Sequence, residues 1–259
     1  MSALTRDTAE DHSDAKLRDG LESGESHVWL VHEQSIDSPA VLSRYRELLD
    51  GEERARCERF VFPADQHRAL VTRALVRTIL SRYEDCRPEA WRFRSNAYGR
   101  PEIESPSADG LRFNLSHTRG LVACIVSLNR EVGVDVENRL RGGRLIDVAH
   151  RFFAPFEVQS LEATAPERQL ARFFTYWTLK ESYIKARGMG LAIPLADFWF
   201  CLDEAAENIR IELNPRLGDS PERWSFEFEH LSIAHSLATA VEKRTPDERP
   251  RVVVRTIVP

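Results

Sequence analysis

The sequence predicts an α+β fold made of two similar lobes. Its 259 residues suffice for two domains of ordinary size. Each half contains a long helix with an apolar stripe and several short strands in which apolar and polar residues alternate. The chain reaches a polar turn near Asn129, so we predict an N-terminal lobe over 27–129 and a C-terminal lobe over 130–245.

The two ends of the chain lie outside these predicted lobes. Residues 1–26 are rich in Asp, Glu, Ser and Thr and lack the apolar segment of a signal peptide, which predicts a disordered acidic tail. The residues after Thr245 are rich in Pro and Arg. We therefore predict that 246–259 form a peripheral extension.

The N-terminal lobe is predicted to begin with a strand at 27–32. Residues 40–59 are typical of a charged helix, and a second helix is predicted from about 65 to 83. The apolar stripe of this second helix consists of Leu70, Ala74, Leu75 and Ile79. Further strands are predicted at 91–93, 111–115 and 121–128, with the last forming a hairpin with 132–137.

The C-terminal lobe is predicted to contain one dominant helix. Pro166 suits the first turn of this helix, and Gly188 suits the position that follows its last turn. A shorter helix is predicted at about 144–152. Strands are predicted at 198–200, 209–213, 224–228 and 237–241, where aromatic and β-branched residues alternate with polar ones.

Charge and composition exclude several classes of protein. A net charge of −5 gives no general attraction to nucleic acid. The four cysteines form no CxxC pair and the eight histidines form no metal-binding cluster, which argues against structural zinc and disulfides. The longest apolar run, 121–126, is too short to span a membrane. We expect a cytoplasmic protein with free thiols that binds neither membrane nor nucleic acid.

Two acidic residues share one face of a predicted strand. In the segment 133–137, of sequence Gly-Val-Asp-Val-Glu, the alternation of a strand directs Val134 and Val136 to one side and Asp135 and Glu137 to the other. The acidic side could simply face solvent. However, no Lys or Arg alternates with these two like charges, which favours a site that binds a cation.

Charged residues continue the apolar stripe of the dominant helix. The stripe consists of Leu170, Phe173, Phe174 and Trp177. A spacing of four residues extends it to Glu181 and Lys185, with Lys180 beside them. An ordinary surface pair of Glu and Lys is the alternative. The chain contains only four lysines among 36 basic residues, and two of them lie here, which favours a need for a compact point charge or a proton donor.

If the strand face and the helix face meet, three carboxylates come together. Asp135, Glu137 and Glu181 would then offer the hard oxygen ligands that Mg²⁺ prefers, and not the ligands of zinc. A magnesium ion beside lysines and a substrate phosphate is typical of phosphoryl transfer.

These motifs together resemble those of the 4′-phosphopantetheinyl transferases, in particular the larger, pseudo-dimeric type that activates surfactin synthetase. The resemblance covers about 28–241. The matching patterns are G-x-D-x-E at 133–137, W-x-x-K-E-S-x-x-K at 177–185, R-F-F-x-x-x-E at 151–157, N-x-S-H at 114–117 and Y-G-K-P at 98–101. Arg100 stands where the family usually has lysine.

The resemblance implies a fold of two α+β lobes in a pseudo-twofold arrangement and a specific reaction. Members of this family transfer the 4′-phosphopantetheine arm of coenzyme A to a serine of an apo carrier protein and release 3′,5′-ADP. By resemblance, Asp135, Glu137 and Glu181 would hold Mg²⁺. Lys185 would stabilise or protonate the leaving group, Lys180 would neutralise phosphate charge, and Glu181 could deprotonate the serine, directly or through a water.

The resemblance also implies where coenzyme A binds and who the partner is. Arg68, Arg100, Ser116 and His117 fall where the family binds the 3′-phosphate and the adenine end. The partner would be an apo acyl or peptidyl carrier protein, as used in fatty acid, polyketide or nonribosomal peptide synthesis. The length of the chain favours a monomer over the trimers of the small family type.

Two other functions stay open from the sequence. One is a different Mg²⁺-dependent phosphoryl or nucleotidyl transferase, although the chain lacks the G-x-x-x-x-G-K-S/T loop of P-loop enzymes. The other is a non-catalytic module of the same fold that binds carrier proteins or nucleotides. The intact set of Asp135, Glu137, Glu181 and Lys185 argues against it, because binding alone would not need all four.

Overall fold

The computed structural model describes residues 4–6, 14–141, 145–203 and 208–259. These residues form two compact units, and the chain passes between them at Asn129 and Arg130. The N-terminal unit comprises residues up to 95 together with 101–129 and 251–259, and the C-terminal unit comprises 96–100 and 130–250. None of the described helices is both long and apolar enough to cross a membrane.

The N-terminal unit is built on a mixed sheet of five strands. Its strands, in spatial order, are β1 (Leu4–Arg6), β12 (Val252–Thr256), β2 (Ser26–Val31), β6 (Leu121–Leu128) and β5 (Leu111–Thr118). The first three run parallel, whereas β6 is antiparallel to both of its neighbours. The β6 residues 121–128 are buried throughout, so this strand lies inside the unit.

Four helices and a hairpin complete this unit. The helices are α1 (Asp14–Glu22), α2 (Pro39–Leu48), α3 (Gly51–Glu58) and α4 (Pro63–Leu80), and the hairpin strands are β3 (Arg92–Ser95) and β4 (Pro101–Ser105). The single helix predicted over 40–59 is two helices. Asp50 and Glu53 form a reciprocal capping box, which starts α3 as a new helix.

The structure corrects both predictions for the chain ends. Part of the predicted disordered tail forms α1, whose Leu17 and Leu21 are fully buried, while residues 1–3 and 7–13 lie outside the described part of the chain. The predicted peripheral extension contributes strand β12 to the sheet, with Val252 and Val254 buried. Apolar burial in the core outweighs the polar composition around these short segments.

The C-terminal unit contains an antiparallel sheet of three strands. Their order is β10 (Trp224–His230), β11 (His235–Glu242) and β7 (Val132–Asn138). The predicted hairpin of 121–128 with 132–137 is wrong, because β6 and β7 belong to different sheets. Asn129 adopts a left-handed backbone with φ of 55° between them, and the chain there leaves one unit for the other.

Three helices and a second hairpin cover this sheet. They are α5 (Leu145–Phe152), α6 (Pro155–Glu162), α7 (Pro166–Arg187) and the strands β8 (Phe198–Leu202) and β9 (Ile209–Leu213). The limits predicted for the dominant helix are confirmed, since Gly188 follows α7 in the left-handed conformation with φ of 65°. The predicted stripe begins one turn later than expected, because Leu170 is 47% exposed whereas Phe173 and Phe174 are buried.

Candidate active site

A glycine allows α7 to lie directly against β7. Gly133, Asp135 and Glu137 share one face of this strand. A Cβ atom at Gly133 would lie 2.0 Å from the carbonyl oxygen of Ser182 and 2.5 Å from the amide nitrogen of Ala186. No side chain fits there, so glycine permits the close approach of the helical turn that carries Glu181 and Lys185.

The strand face and the helix face therefore meet, which the sequence alone left as a condition. The Nζ atom of Lys185 lies 2.6 Å from Oδ1 of Asp135. The side chain of Lys185 is 25% exposed, whereas that of Asp135 is 5% exposed. This ion pair is therefore partly exposed on the lysine side and almost fully buried on the aspartate side.

Glu137 has two further partners. The Nε1–H of Trp177 donates to Oε1 of Glu137 at 2.8 Å, and Nη2 of Arg141 lies 3.1 Å from the same oxygen. The guanidinium of Arg141 also lies over the ring of Phe174, at 5.3 Å from its centroid. Sequence reasoning assigned no role here to Arg141. Its only signal was a position four residues after Glu137.

The electrostatics show excess negative charge in this cluster. Burial, reinforced by the charge of Asp135, raises the pKa of Glu181 to about 7 and that of Glu137 to about 7. The cations Lys185 and Arg141 oppose these shifts without cancelling them. Three carboxylates against two cations leave room for a further positive charge.

The residues of this cluster fit a magnesium ion. They offer carboxylate oxygens, which are hard ligands, and no thiolate or imidazole. Among the residues that the structure describes, no group of three or more His, Cys, Asp or Glu side chains stands in a formed metal-binding arrangement. The fit therefore rests on the donor set and on the raised pKa values of Glu137 and Glu181.

Lys180 does not join this cluster, and the structure corrects its predicted role. Its side chain is fully buried, and Nζ lies 2.7 Å from Oε2 of Glu157, 2.7 Å from the carbonyl oxygen of Leu195 and 2.6 Å from that of Phe198. These three acceptors use all three donors of the ammonium group. Successive residues of a helix point about 100° apart, so Lys180 faces the core and not a substrate phosphate.

Glu157 is a residue whose role the sequence did not reveal. It is fully buried and accepts the N–H groups of Ala154 and Phe200, at 3.1 and 3.0 Å, besides the ammonium of Lys180. Burial raises the pKa of Glu157 and lowers that of Lys180. One carboxylate thus links α6, α7 and β8, which explains why the R-F-F-x-x-x-E pattern ends in an acid.

Arg100 lies at the C-terminal end of α7. Its Nη1 lies 2.7 Å from Oε2 of Glu131 and donates to the carbonyl oxygen of Ala186 at 3.1 Å. Nearby, Nδ2 of Asn96 donates to the carbonyl oxygen of Gly188 at 2.8 Å. The turn that carries Arg100 therefore satisfies carbonyl groups at the negative end of the helix dipole.

The other residues predicted to bind coenzyme A belong to the N-terminal unit. Arg68 lies on α4, where its Nη1 is 2.8 Å from Oδ1 of Asp65. Ser116 and His117 lie near the end of β5, where Ser116 is buried and His117 is exposed. The acidic cluster, in contrast, lies wholly in the C-terminal unit.

Comparison with known proteins matches both units. Residues 131–242 match the model of the 4′-phosphopantetheinyl transferase superfamily, and residues 37–129 match the model of a 4′-phosphopantetheinyl transferase N-terminal region. Members of this superfamily thus resemble the chain over most of its length. The predicted α+β fold of this family is confirmed.

Curated relatives support the same assignment. The 4′-phosphopantetheinyl transferase HetI of Nostoc is 36% identical over 174 residues, which are 66% of this chain and 72% of that protein. The 4′-phosphopantetheinyl transferase Sfp of Bacillus subtilis is 33% identical over 170 residues, 66% of this chain and 73% of that protein. A further Bacillus subtilis enzyme of this name is 36% identical over 155 residues, 60% of this chain and 67% of that protein.

The chain therefore belongs to the 4′-phosphopantetheinyl transferase superfamily. The prediction of a transferase of the larger type is confirmed by its similarity to Sfp and HetI. A holo-[acyl-carrier-protein] synthase structure from Thermotoga maritima covers 44% of this chain and 64% of its own at 21% identity and a TM-score of 0.36. The assignment rests on the sequence relatives and not on that structure.

Proposed function

We propose that this protein transfers the 4′-phosphopantetheine arm of coenzyme A to a serine of an apo acyl or peptidyl carrier protein and releases 3′,5′-ADP. The observation that carries this proposal is the cluster of Asp135, Glu137, Glu181 and Lys185 on the facing surfaces of β7 and α7. A member of this superfamily that only bound a carrier would not need three crowded carboxylates beside an accessible lysine.

We infer that Asp135, Glu137 and Glu181 hold Mg²⁺ during the reaction. A bound magnesium ion would supply charge neutralisation for the pyrophosphate of coenzyme A. Trp177 and Arg141 hold Glu137 by its Oε1 atom, which leaves its other oxygen for a ligand. Lys185 holds Oδ1 of Asp135, and its own side chain stays partly exposed.

The roles proposed for the side chains are those that the resemblance to the family implies. A new bond forms from the serine oxygen to the phosphorus next to the pantetheine arm, as the bond from that phosphorus to the bridging oxygen breaks and 3′,5′-ADP leaves with that oxygen. Lys185 stabilises or protonates this leaving group. Glu181 takes the serine proton, directly or through a water. Arg68, Arg100, Ser116 and His117 are proposed to bind the 3′-phosphate and adenine end.

The setting of the reaction also belongs to this proposal. We expect a monomer in the cytoplasm that acts on carrier proteins and on neither nucleic acid nor membranes. The four cysteines are free thiols, which suits a reducing compartment. The rival functions are a different Mg²⁺-dependent phosphoryl transfer and a non-catalytic binding module.

Mass spectrometry of a carrier protein tests the proposal. Purified apo acyl and peptidyl carriers would each be incubated with the protein, coenzyme A and Mg²⁺, with EDTA in a parallel sample. We expect the carrier to gain the mass of one phosphopantetheine arm, and we expect EDTA to prevent the gain. A folded protein that modifies none of several carriers would favour one of the two rival functions.

Variants of the acidic cluster test the site itself. Glu181→Gln and Asp135→Ala should abolish transfer while leaving the fold intact, because each removes a proposed metal ligand. Glu167→Gln is a matched control, since Glu167 is exposed in the first turn of the same helix. Near-normal turnover in either cluster variant would contradict the proposed metal site.

A further inference from the structure

A buried carboxylate in the N-terminal unit connects three segments of the chain. Glu33 follows β2 and is only 2% exposed. Its Oε1 accepts the N–H of Gly120 at 2.8 Å and lies 3.4 Å from Nε of Arg68. The carbonyl oxygen of Glu33 also lies 2.8 Å from Nε2 of His67. Glu33 thus contacts both α4 and the turn between β5 and β6.

The first consequence concerns the orientation of Arg68. Its Nε faces Glu33 and its Nη1 faces Asp65. Because a guanidinium group is planar and rigid, fixing these two nitrogens also fixes the third. Nη2 makes no hydrogen bond to any residue that the structure describes, and the side chain is 16% exposed. Arg68 is therefore held with its Nη2 amino group available to an anion.

The second consequence concerns the end of β5. Gly120 has a φ of 94°, in the left-handed region that a tight turn between two strands requires. The hydrogen bond from its N–H to Glu33 anchors this turn to the segment that follows β2. The exposed His117 lies three residues before Gly120. The same carboxylate oxygen therefore fixes the turn after His117 and the guanidinium of Arg68.

Burial of the Glu33 carboxylate lowers the stability of the fold, which argues that the carboxylate has a functional role. Its second oxygen, Oε2, is buried and makes no hydrogen bond within the described residues. A buried oxygen without a partner costs about 1–3 kcal/mol, and an apolar side chain would fill the space at lower cost. An apolar side chain, however, could accept neither the N–H of Gly120 nor the N–H of Arg68.

We propose that Glu33 is a positioning residue for coenzyme A binding, which sets Arg68 and the turn after β5 relative to each other. This inference rests on the proposed function, because the anion that Nη2 of Arg68 would meet is a phosphate of coenzyme A. Glu33 itself acts through Arg68 and the turn. Its loss should weaken binding of coenzyme A and leave the transfer step unchanged.

Steady-state kinetics of Glu33→Ala and Glu33→Gln test this inference. We expect the KM for coenzyme A to rise about tenfold in Glu33→Ala, as for the loss of one charge-assisted contact, with kcat at saturating coenzyme A within about twofold of wild type. Glu33→Gln keeps an acceptor for the N–H of Gly120, so its KM for coenzyme A should rise less. Within an Arg68→Ala background, Glu33→Ala should raise the KM by a smaller factor than in the wild type, because only its effect on the turn after β5 remains.

Glu53 provides the matched control for buried carboxylates. It lies in the same unit, is 3% exposed, and pairs with the buried Arg77 at 2.5 Å between Oε2 and Nη2. Glu53→Gln should lower the thermal stability of the protein and leave the KM for coenzyme A unchanged. A merely structural Glu33 would give the same result as Glu53→Gln, and that outcome would overturn the inference.

Different results would overturn the positioning role of Glu33 and the proposed function. A wild-type protein that transfers the arm, with an unchanged KM in Glu33→Ala, would overturn the positioning role alone. A wild-type protein that neither transfers the arm nor binds coenzyme A in calorimetry would overturn both. If the wild type binds coenzyme A without transfer, the Kd measured by calorimetry replaces the KM and decides the role of Glu33.

Discussion

Lys180 and Lys185 lie five residues apart on α7, and each forms a close ion pair with a carboxylate at a similar distance. The Lys180 pair with Glu157, at 2.7 Å, is fully buried on both sides, and the ammonium donates to two carbonyl oxygens as well. The Lys185 pair with Asp135, at 2.6 Å, is partly exposed on the lysine side. Nearly equal distances therefore describe two very different environments.

The difference separates a structural pair from a functional one. Every donor of Lys180 is used, so its ammonium cannot approach a substrate without breaking contacts inside the C-terminal unit. The side chain of Lys185 is partly exposed and lies beside two carboxylates with raised pKa values. Distance alone does not tell the two roles apart, whereas burial does.

The largest effect on stability is expected from breaking the buried pair. Lys180→Met should lower the free energy of unfolding by about 3–5 kcal/mol, because Glu157 would be left buried without its cation. Urea denaturation followed by circular dichroism measures this loss. Lys185→Met serves as the control on the same helix and should lose much less, since water reaches that pair.

A double variant sharpens this prediction. Burial pushes Glu157 and Lys180 each toward its neutral form, so the ionised pair contributes little net stability. Glu157→Gln combined with Lys180→Met should therefore be more stable than Lys180→Met alone, since no unpaired charge remains. Additive losses in the double variant would contradict this explanation of the pair.

The second prediction concerns activity, on which Lys185 is expected to have the larger effect of the two lysines. Lys185→Met should lower kcat by about 10²-fold or more, because the leaving group loses its cation, while the protein stays folded. Lys185→Arg keeps the positive charge and should retain more activity than Lys185→Met. Carrier modification measured by mass spectrometry over time gives both rates. A fully active Lys185→Met would assign the chemistry to another residue.

Much of this site could be predicted from local patterns. The alternation of Gly133, Asp135 and Glu137 placed them on one strand face, and a spacing of four placed Glu181 and Lys185 in line on one helix. Both inferences need only the geometry of a single strand or helix. Their meeting was an assumption from the sequence, and the contact of Gly133 with the backbone of α7 supplies its physical cause.

Other features could not be predicted because they depend on distant partners. Lys180 directly precedes Glu181 on the same helix. Only the positions of Glu157, Leu195 and Phe198 show that its side chain is buried. Strand β12 likewise depends on a pairing with β2, more than two hundred residues earlier in the chain. Its run of three valines was the one local signal of a strand.

The third prediction concerns Mg²⁺ and pH. In the metal-free protein, burial and Asp135 raise the pKa of Glu137 and Glu181 to about 7, so their ionisation destabilises the fold as the pH rises toward 7. Magnesium binds the ionised forms. We therefore expect Mg²⁺ to raise the Tm more at pH 8 than at pH 6, as measured by differential scanning fluorimetry. A smaller shift at pH 8 would contradict this prediction.

Two variants distinguish the site from the buried pair in that experiment. Glu181→Gln should lose most of the Mg²⁺-dependent shift of the Tm, because a proposed ligand is gone. Glu157→Gln should lower the Tm itself and keep the shift, since the partners of Glu157 among the described residues are Lys180 and backbone groups of its own unit. Equal losses of the Tm shift in both variants would mean that the acidic cluster and the buried pair of Glu157 and Lys180 are not independent.

The smallest effect is expected from a change at Trp177, which contacts Glu137 in the acidic cluster. Trp177→Phe removes the N–H that holds Oε1 of Glu137 and preserves most of the ring, so the fold should change little. Glu137 keeps Arg141 as a partner. The concentration of Mg²⁺ for half-maximal activity should rise by about tenfold or less, with kcat at saturating Mg²⁺ near that of wild type. A loss of kcat instead would mean that Trp177 positions substrate and not Glu137.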